Sequence, residues 1–480
     1  MLRMVRDRSI SNATISPFEF GAVAYLAVPV ALFFFAYGTL SVRLPLATFI
    51  GFGLWHCWRL VDTRASFRLG RLDAFFLACA AGVVLLSGSF GAGFFPNSDW
   101  VKHFAVLRFL IDNSTLTGTA PGYDGASMRY YLGWYVVPAL LTKFTSRAAL
   151  LPIVGTWTTA GLYLFFRVTA QLTESSRWRY TLPAVVMLFS GADALGTSFT
   201  NFSRGPQGHL EWWSGWIQYS SMLTDIFWAP QHALSAWLAI ALGIRLKDSR
   251  ASLAVFPLVT ASLLLWSPFS AIGIVPFYLW TLARFVRQAN TKDIANAIMM
   301  LVVTIVIAQY LRTGGSTAGM EFITVFSQPC LSAGPCYSLP NYFWFLAAEV
   351  AGFLAALHLA TRCRNAMLWI ATVLLPVMPF VKFGGANDLN LHATIPALTL
   401  LAILSWQALY KARQATTFAL ACLLTMGAAT PLAEIRRSFA MTSGPPVDAT
   451  VNDLVSALPG LRGQYLVDKT PWMVRKPGAP

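Results

Sequence analysis

Apolar residues in this chain gather into runs long enough to cross a bilayer, and polar residues are confined to the joints between them. A membrane-spanning helix needs about 20 mostly apolar residues. Runs approaching that length lie near 18–38, 45–60, 73–91, 149–169, 180–196, 230–246, 251–267, 270–286, 294–311, 340–360, 366–381, 391–410 and 415–431. A shorter apolar stretch, 130–145, sits between two polar segments. The pattern predicts an all-α, polytopic transmembrane bundle of about thirteen spans. Residues 1–431 read as one integral membrane domain. Residues 432–480 read as a short extracytoplasmic tail, expected to form a small ordered cap.

The longest polar interruption early in the chain is 92–131. Within it Asp99, Lys102 and His103 follow one another at i, i+3 and i+4, so a helix carries them on one face. Trp100, Phe104, Leu107 and Ile111 form a second, apolar stripe. A helix with two such faces is expected to lie flat at a membrane surface and present its carboxylate there. More plainly, Asp99 and Ser98 suit a helix N-terminus and Lys102 suits snorkelling to headgroups.

Charge sets the topology. Basic residues cluster at Arg3–Arg8, Arg59–Arg71, Arg245–Arg250, Arg284–Lys292, Arg362–Arg364 and Lys411–Arg413, always between apolar runs. Such clusters mark cytoplasmic loops. The N-terminus is then cytoplasmic and 92–128 lies outside. Arg167, Arg177 and Arg179 place the 170–179 connection inside as well. Parity is kept if 130–145 re-enters or lies on the surface instead of crossing, although Lys143 and Arg147 would suit a cytoplasmic turn. The first run is long and no small-residue cleavage site follows it, so it reads as a retained span.

Composition supports this class. The 480 residues are 56% hydrophobic and 11% charged, against roughly 25% charged in soluble proteins. The net charge of +15 is dispersed over the loops, which argues for a topological signal and not a nucleic-acid footprint. Of six cysteines only Cys330 and Cys336 share a polar loop, where an oxidising compartment would permit a bond. Walker A, GxGxxG, HExxH and CxxC patterns are absent.

The polar groups that interrupt apolar segments all fall on one side of the predicted topology: Asp99, Lys102 and His103; Arg129, Tyr130 and Tyr131; Glu211; Gln231 and His232; Asn387 and Asp388, with His392 beyond them. Ionisable groups at membrane depth are costly and mark function, so their convergence points to one site at the outer boundary. Asp99 is the candidate general base, with His103 one turn away. Lys102 and Arg129 are candidates to hold a phosphate. Glu211 stands beside Trp212, Trp213 and Trp216, a composition that suits sugar stacking and equally an interfacial tryptophan belt. For His232 and Asp388 a core hydrogen bond and a helix cap are the plain alternatives.

An acidic first-loop helix followed by YYLGWYVVPALL at 130–141 resembles the GT-C superfamily of polytopic membrane glycosyltransferases. GHLEWWSGWIQYSS at 208–221, FWAPQHALSAWL at 227–238 and GGANDLNLHATIPAL at 384–398 look like a bacterial branch of it. The resemblance covers about 90–400. It implies a GT-C-like fold and a polyprenyl-phosphate-linked sugar donor used on the extracytoplasmic face. It also implies a lipid, glycan or protein acceptor and a bacterial inner-membrane location. Asp99 would act as base or as ligand to a divalent cation, Mg or Mn. Many members carry two adjacent acids there, whereas Asp99 is flanked by Ser98 and Trp100, which puts metal dependence in doubt. Two other classes compete: a transporter or flippase of lipid-linked sugars, with polar groups spread through the depth of the spans, and a non-catalytic membrane assembly subunit.

Overall fold

A computed structural model of the chain describes residues 14–63, 70–118, 125–199, 209–214, 217–314, 320–322, 339–383, 387–457, 465–468 and 470–475. Cys330, Cys336 and Trp216 lie outside the described residues. The described cysteines, Cys57, Cys79, Cys363 and Cys422, are free thiols.

The fold is all-α. The first half runs α1 (Pro17–Tyr37), α2 (Leu40–Trp58), α3 (Arg71–Leu86), α4 (Trp100–Asp112), α5 (Gly133–Phe144), α6 (Leu150–Ala170), α7 (Ser176–Arg179), α8 (Leu182–Met187), α9 (Asp193–Phe199), α10 (Met222–Trp228) and α11 (Pro230–Leu246). The second half runs α12 (Ser252–Trp266), α13 (Pro268–Phe285), α14 (Thr291–Arg312), α15 (Leu339–Leu346), α16 (Gly352–Thr361), α17 (Ala366–Val377), α18 (Asp388–Ala393), α19 (Ile395–Lys411), α20 (Gln414–Gly427), α21 (Ala429–Ala440) and α22 (Val451–Ala457). Two short antiparallel ladders complete it: β1 (Ser127–Met128) with β4 (Leu466–Val467), and β2 (Met320–Phe322) with β3 (Val381–Phe383).

Local chemistry explains where the helices begin. Ser16 and Glu19 cap α1 reciprocally, with Pro17 at its first position. Ser267 caps α13 and Pro268 opens it, so the WSPF sequence splits one apolar run into two antiparallel helices. Asn290 and Asp293 cap α14 in the same reciprocal way. The core lies where α11 packs against α6 and α19 and where α1 packs against α2, α6 and α12. Trp134, Trp237, Trp266 and Trp406 are fully buried in it.

The two ends of the bundle differ in chemistry. At one end Glu19 pairs with Arg245 at 2.7 Å, Asp293 with Arg250 at 2.7 Å and His56 at 2.8 Å, and Asp73 with Arg167 at 2.9 Å. These groups sit at the starts of α1, α3, α12 and α14 and the ends of α2, α6 and α11. The opposite end gathers the starts of α11, α13 and α18, together with α4 and α5.

Among the described residues, seven helices are long and apolar enough to cross a membrane: Pro17–Tyr37, Arg147–Ala170, Pro268–Gln288, Thr291–Arg312, Leu339–Thr361, Asp388–Lys411 and Gln414–Ala440. The remaining predicted spans are shorter helices or broken ones. The run 180–196 is interrupted between α8 and α9, because the backbone there serves its neighbours: Phe189 accepts from the Met222 N–H at 3.1 Å and Ala192 donates to Ala348 at 3.0 Å. Within 130–145 only α5 is helical, and its 12 residues reach about 18 Å at 1.5 Å per residue, too short to cross. The apolar stripe of α4 (100–112) faces protein. Trp100, His103, Phe104 and Leu107 are all 0% exposed, and α5 and α22 cover the helix.

Gly273 on α13 is what lets α18 approach. A Cβ there would come within 2.0 Å of the Ala393 carbonyl oxygen, whereas one at Gly51 meets nothing within 4 Å. Gly273→Ala is expected to cost about 1–3 kcal/mol, read as a lower thermal midpoint in detergent, while Gly51→Ala leaves the midpoint unchanged or slightly higher.

Candidate active site

The site begins with an unfinished helix. Pro230 has no N–H and opens α11, so α10 stops at Trp228 and its last carbonyls lack their usual helical partners. The first loop supplies replacements. Asn97 Nδ2 and Trp100 Nε1 donate to the Phe227 carbonyl at 2.9 and 2.8 Å. His103 Nε2 lies 2.9 Å from the Trp228 carbonyl. A carbonyl only accepts, so Nε2 carries the proton. Nδ1, 2.7 Å from the Tyr135 hydroxyl, is then the acceptor in the neutral ring. Burial, aided by the Lys102 charge, pushes the His103 pKa down to about 3. His103 is therefore neutral with both nitrogens committed. It holds α4 in place and is not poised to take a proton from a ligand.

Asp99 sits at the turn before α4 and makes no capping bond with its side chain. Its carboxylate instead pairs with Lys102 at 2.5 Å. The Asp99 and Lys102 side chains keep 37% and 23% exposure although protein surrounds them, so they line a crevice. Burial works against the Asp99 charge, but Lys102 prevails and holds the carboxyl below the usual carboxylate range. Asp388 and Tyr465 lie near Lys102, and His392 lies near Asp99.

The other wall is aromatic. The Tyr130 hydroxyl donates to that of Tyr131 at 2.8 Å. The Tyr131 ring lies 5.0 Å from His232, and His232 stacks on His392 at 3.6 Å. His232 Nδ1 is 2.6 Å from Ser267 Oγ, the cap of α13. The starts of α11, α13 and α18 thus converge here, and their partial positive ends favour negative charge nearby.

Of the predicted site residues, the structure brings Asp99, Lys102, His103, Tyr130, Tyr131, His232 and Asp388 together. Four lie differently. Arg129 directs its guanidinium to the Thr313 carbonyl at 2.9 Å, at the end of α14. Asn387 adopts a left-handed conformation ahead of α18, and its Oδ1 accepts from the Phe383 N–H at 3.4 Å. Gln231 is fully buried, and neither amide atom has a hydrogen-bond partner among the described residues. Glu211 belongs to a second cluster. It accepts from Ser221 N–H at 2.9 Å, Thr224 Oγ1 at 2.6 Å and Gln218 Nε2 at 2.6 Å. His209 lies between Glu211 and Glu434, at 3.4 and 3.0 Å. Trp213 is not a stacking face: its indole N–H lies 3.1 Å from Asp193 and 3.2 Å from Glu349.

Sequence reasoning did not single out Tyr135, Tyr465, His209 or Glu434. Tyr135 was legible, since it lies one turn past Tyr131 in the same tyrosine-rich segment. Tyr465 and Glu434 carry no local signal. As for a divalent cation, no group of three or more His, Cys, Asp or Glu that could hold a metal occurs among the described residues. Asp99 and Asp388 alone do not make such a set. No family model, curated protein or solved structure matches the chain.

His209 offers a pH test. Burial by itself lowers its pKa, but the Glu211 and Glu434 carboxylates overcome this and push it up to about 10. A raised pKa means that the stabilisation is complete below the unfolded value near 6.5 and is lost as pH rises through the folded one. Wild-type stability should therefore fall between about pH 7 and pH 10. His209→Gln should be less stable at pH 7 and should lack that decline in denaturation midpoints.

Proposed function

We propose that the chain is an integral membrane glycosyltransferase, similar to the GT-C superfamily, that moves a sugar from a polyprenyl-phosphate donor to a lipid, glycan or protein acceptor. The observation that carries this reading is the crevice. An accessible carboxylate, uncommitted to capping, shares it with a lysine, a second carboxylate and a wall of tyrosines and histidines. It lies at the end of the bundle away from the Glu19–Arg245 and Asp293–Arg250 pairs, whose arginines belong to the basic clusters. Under the positive-inside rule that end faces outward, in a bacterial inner membrane with a cytoplasmic N-terminus. The count of about thirteen spans and the GT-C-like topology belong to this proposal.

The chemistry follows from the groups present. A polyprenyl phosphate keeps its chain in the bilayer and its sugar phosphate at the boundary. Asp99 takes the proton of the acceptor hydroxyl as the acceptor oxygen bonds the anomeric carbon. The bond from that carbon to the phosphate oxygen breaks, and polyprenyl phosphate leaves. Lys102, released from Asp99 as that group becomes protonated, compensates the departing phosphate. The converging helix starts add to this, in place of the second cation expected from Arg129. Tyr131 and Asp388 line the space for sugar hydroxyls.

A second reading, a transporter, is favoured by one observation. Asp193 and Glu349 share the Trp213 N–H and lie on interrupted helices, Glu349 within a π-turn at Ala347–Ala351. Buried acids on broken helices also suit ion-coupled movement.

Sugar transfer in membranes with labelled polyprenyl-phosphate sugars separates the two. Asp99→Asn is expected to lose about 10²–10⁴-fold in rate at unchanged expression and thermal midpoint, and Glu349→Gln to retain transfer. Equal rates for wild type and Asp99→Asn would sink the glycosyltransferase mechanism. Uptake that depends on Glu349 and not on Asp99 would favour the transporter.

A further inference from the structure

The last described stretch of the chain does not trail away from the bundle. Leu466 and Val467 pair antiparallel with Met128 and Ser127. The Arg129 N–H donates to the Tyr465 carbonyl at 2.8 Å. Thr470 Oγ1 lies 3.1 Å from Ser127 Oγ and 3.3 Å from Thr117 Oγ1. Farther on, the Thr39 N–H donates to Met473 at 2.9 Å and the Arg475 N–H to Tyr37 at 2.8 Å. Val467 fills the space over Gly314, where a Cβ would come within 2.7 Å of it. Residues 465–468 and 470–475 thus form a strap tied to the first loop and to the ends of α1 and α14.

This strap delivers Tyr465, only 1% exposed, to the crevice wall. Its ring stands 4.7 Å from Tyr130, Tyr130 is 3.8 Å from Tyr131, Tyr131 is 5.0 Å from His232, and His232 is 3.6 Å from His392. Five rings therefore form one continuous, buried column behind the crevice. Tyr465 is its terminal member and the only one that comes from the tail. Packed aromatic rings fix one another's positions, so a gap at the end of the column frees Tyr130 and then Tyr131.

We infer that Tyr465 is a positioning residue and that the C-terminal strap is a fixed wall of the binding crevice, holding the buried ring column that backs the Asp99–Lys102 pair. This rests on the reading that the crevice binds a sugar substrate. It assigns the tail a part in the site that its sequence does not suggest.

The test uses the full-length chain with its own cysteines replaced by serine and one cysteine introduced by Asp99→Cys. The rate of modification by a small charged thiosulfonate reports access to the crevice without requiring activity. Tyr465→Ala is expected to raise that rate at least tenfold, and Tyr465→Phe, which keeps the ring, less than twofold. In chains that retain Asp99, Tyr465→Ala should raise the donor KM at least tenfold with kcat within threefold. A strap pinned by a disulfide between Met128→Cys and Leu466→Cys, which face each other across the ladder, should show the same activity oxidised as reduced. Equal modification rates in all variants would overturn the inference. So would a pinned chain that is inactive until reduced, since the strap would then be a moving lid. If no chain, wild type included, transfers any sugar tried, the glycosyltransferase reading fails while the modification rates still decide the role of the strap.

Discussion

Two backbone carbonyls at the end of α10 hold this site together. A helix that stops inside a protein leaves carbonyls that must find donors, because an unmet buried acceptor costs about 1–3 kcal/mol. Here the donors are Asn97, Trp100 and His103. Satisfying α10 thus fixes the first loop in position and in rotation about its own axis. With Trp100 and His103 turned inward, Asp99 and Lys102 fall at the crevice. A proline in one segment, Pro230, in this way aims a carboxylate in another.

Trp228 links that arrangement to the second polar cluster. Its carbonyl holds His103, its indole N–H donates to Glu434 at 3.0 Å, and its ring stacks on His209 at 5.0 Å. Arg437 lies over the same ring at 4.6 Å. Buried charges need partners. The His209, Glu211, Glu434 and Arg437 network meets that need while bracing the residue that positions α4. The division of labour is physical: the partly exposed pair Asp99–Lys102 stays accessible, and the buried network is committed to holding shape.

Much of this was legible beforehand because its causes are local. Hydropathy marked the helices, since a bilayer demands runs of apolar residues. Ser267-Pro268 marked the α12–α13 break, because proline opens helices and serine caps them. The polar interruptions nominated seven residues that share the crevice, since charged groups in an apolar chain need a common polar environment. The misplacements arose where partners are distant. Arg129 was read as a phosphate cation, but the carbonyl that takes it lies at Thr313. Glu211 reads as a sugar contact, but His209 ties it to Glu434, far along the chain. The apolar stripe of α4 faces protein, because α22 from the far end of the chain covers it.

The sequence by itself determined an all-α apolar chain, its main helix starts and a short list of polar groups that could not remain unpartnered. Those follow from the residue and its nearest neighbours in the chain. Only the tertiary structure decided which of the groups are spent and which are free. It turned His103 into a neutral brace, left Asp99 uncapped beside Lys102 and closed the tyrosine column with Tyr465. These outcomes depend on contacts between residues more than one hundred positions apart, such as His103 with Trp228 and Arg129 with Tyr465. Periodicity and spacing carry no record of such contacts.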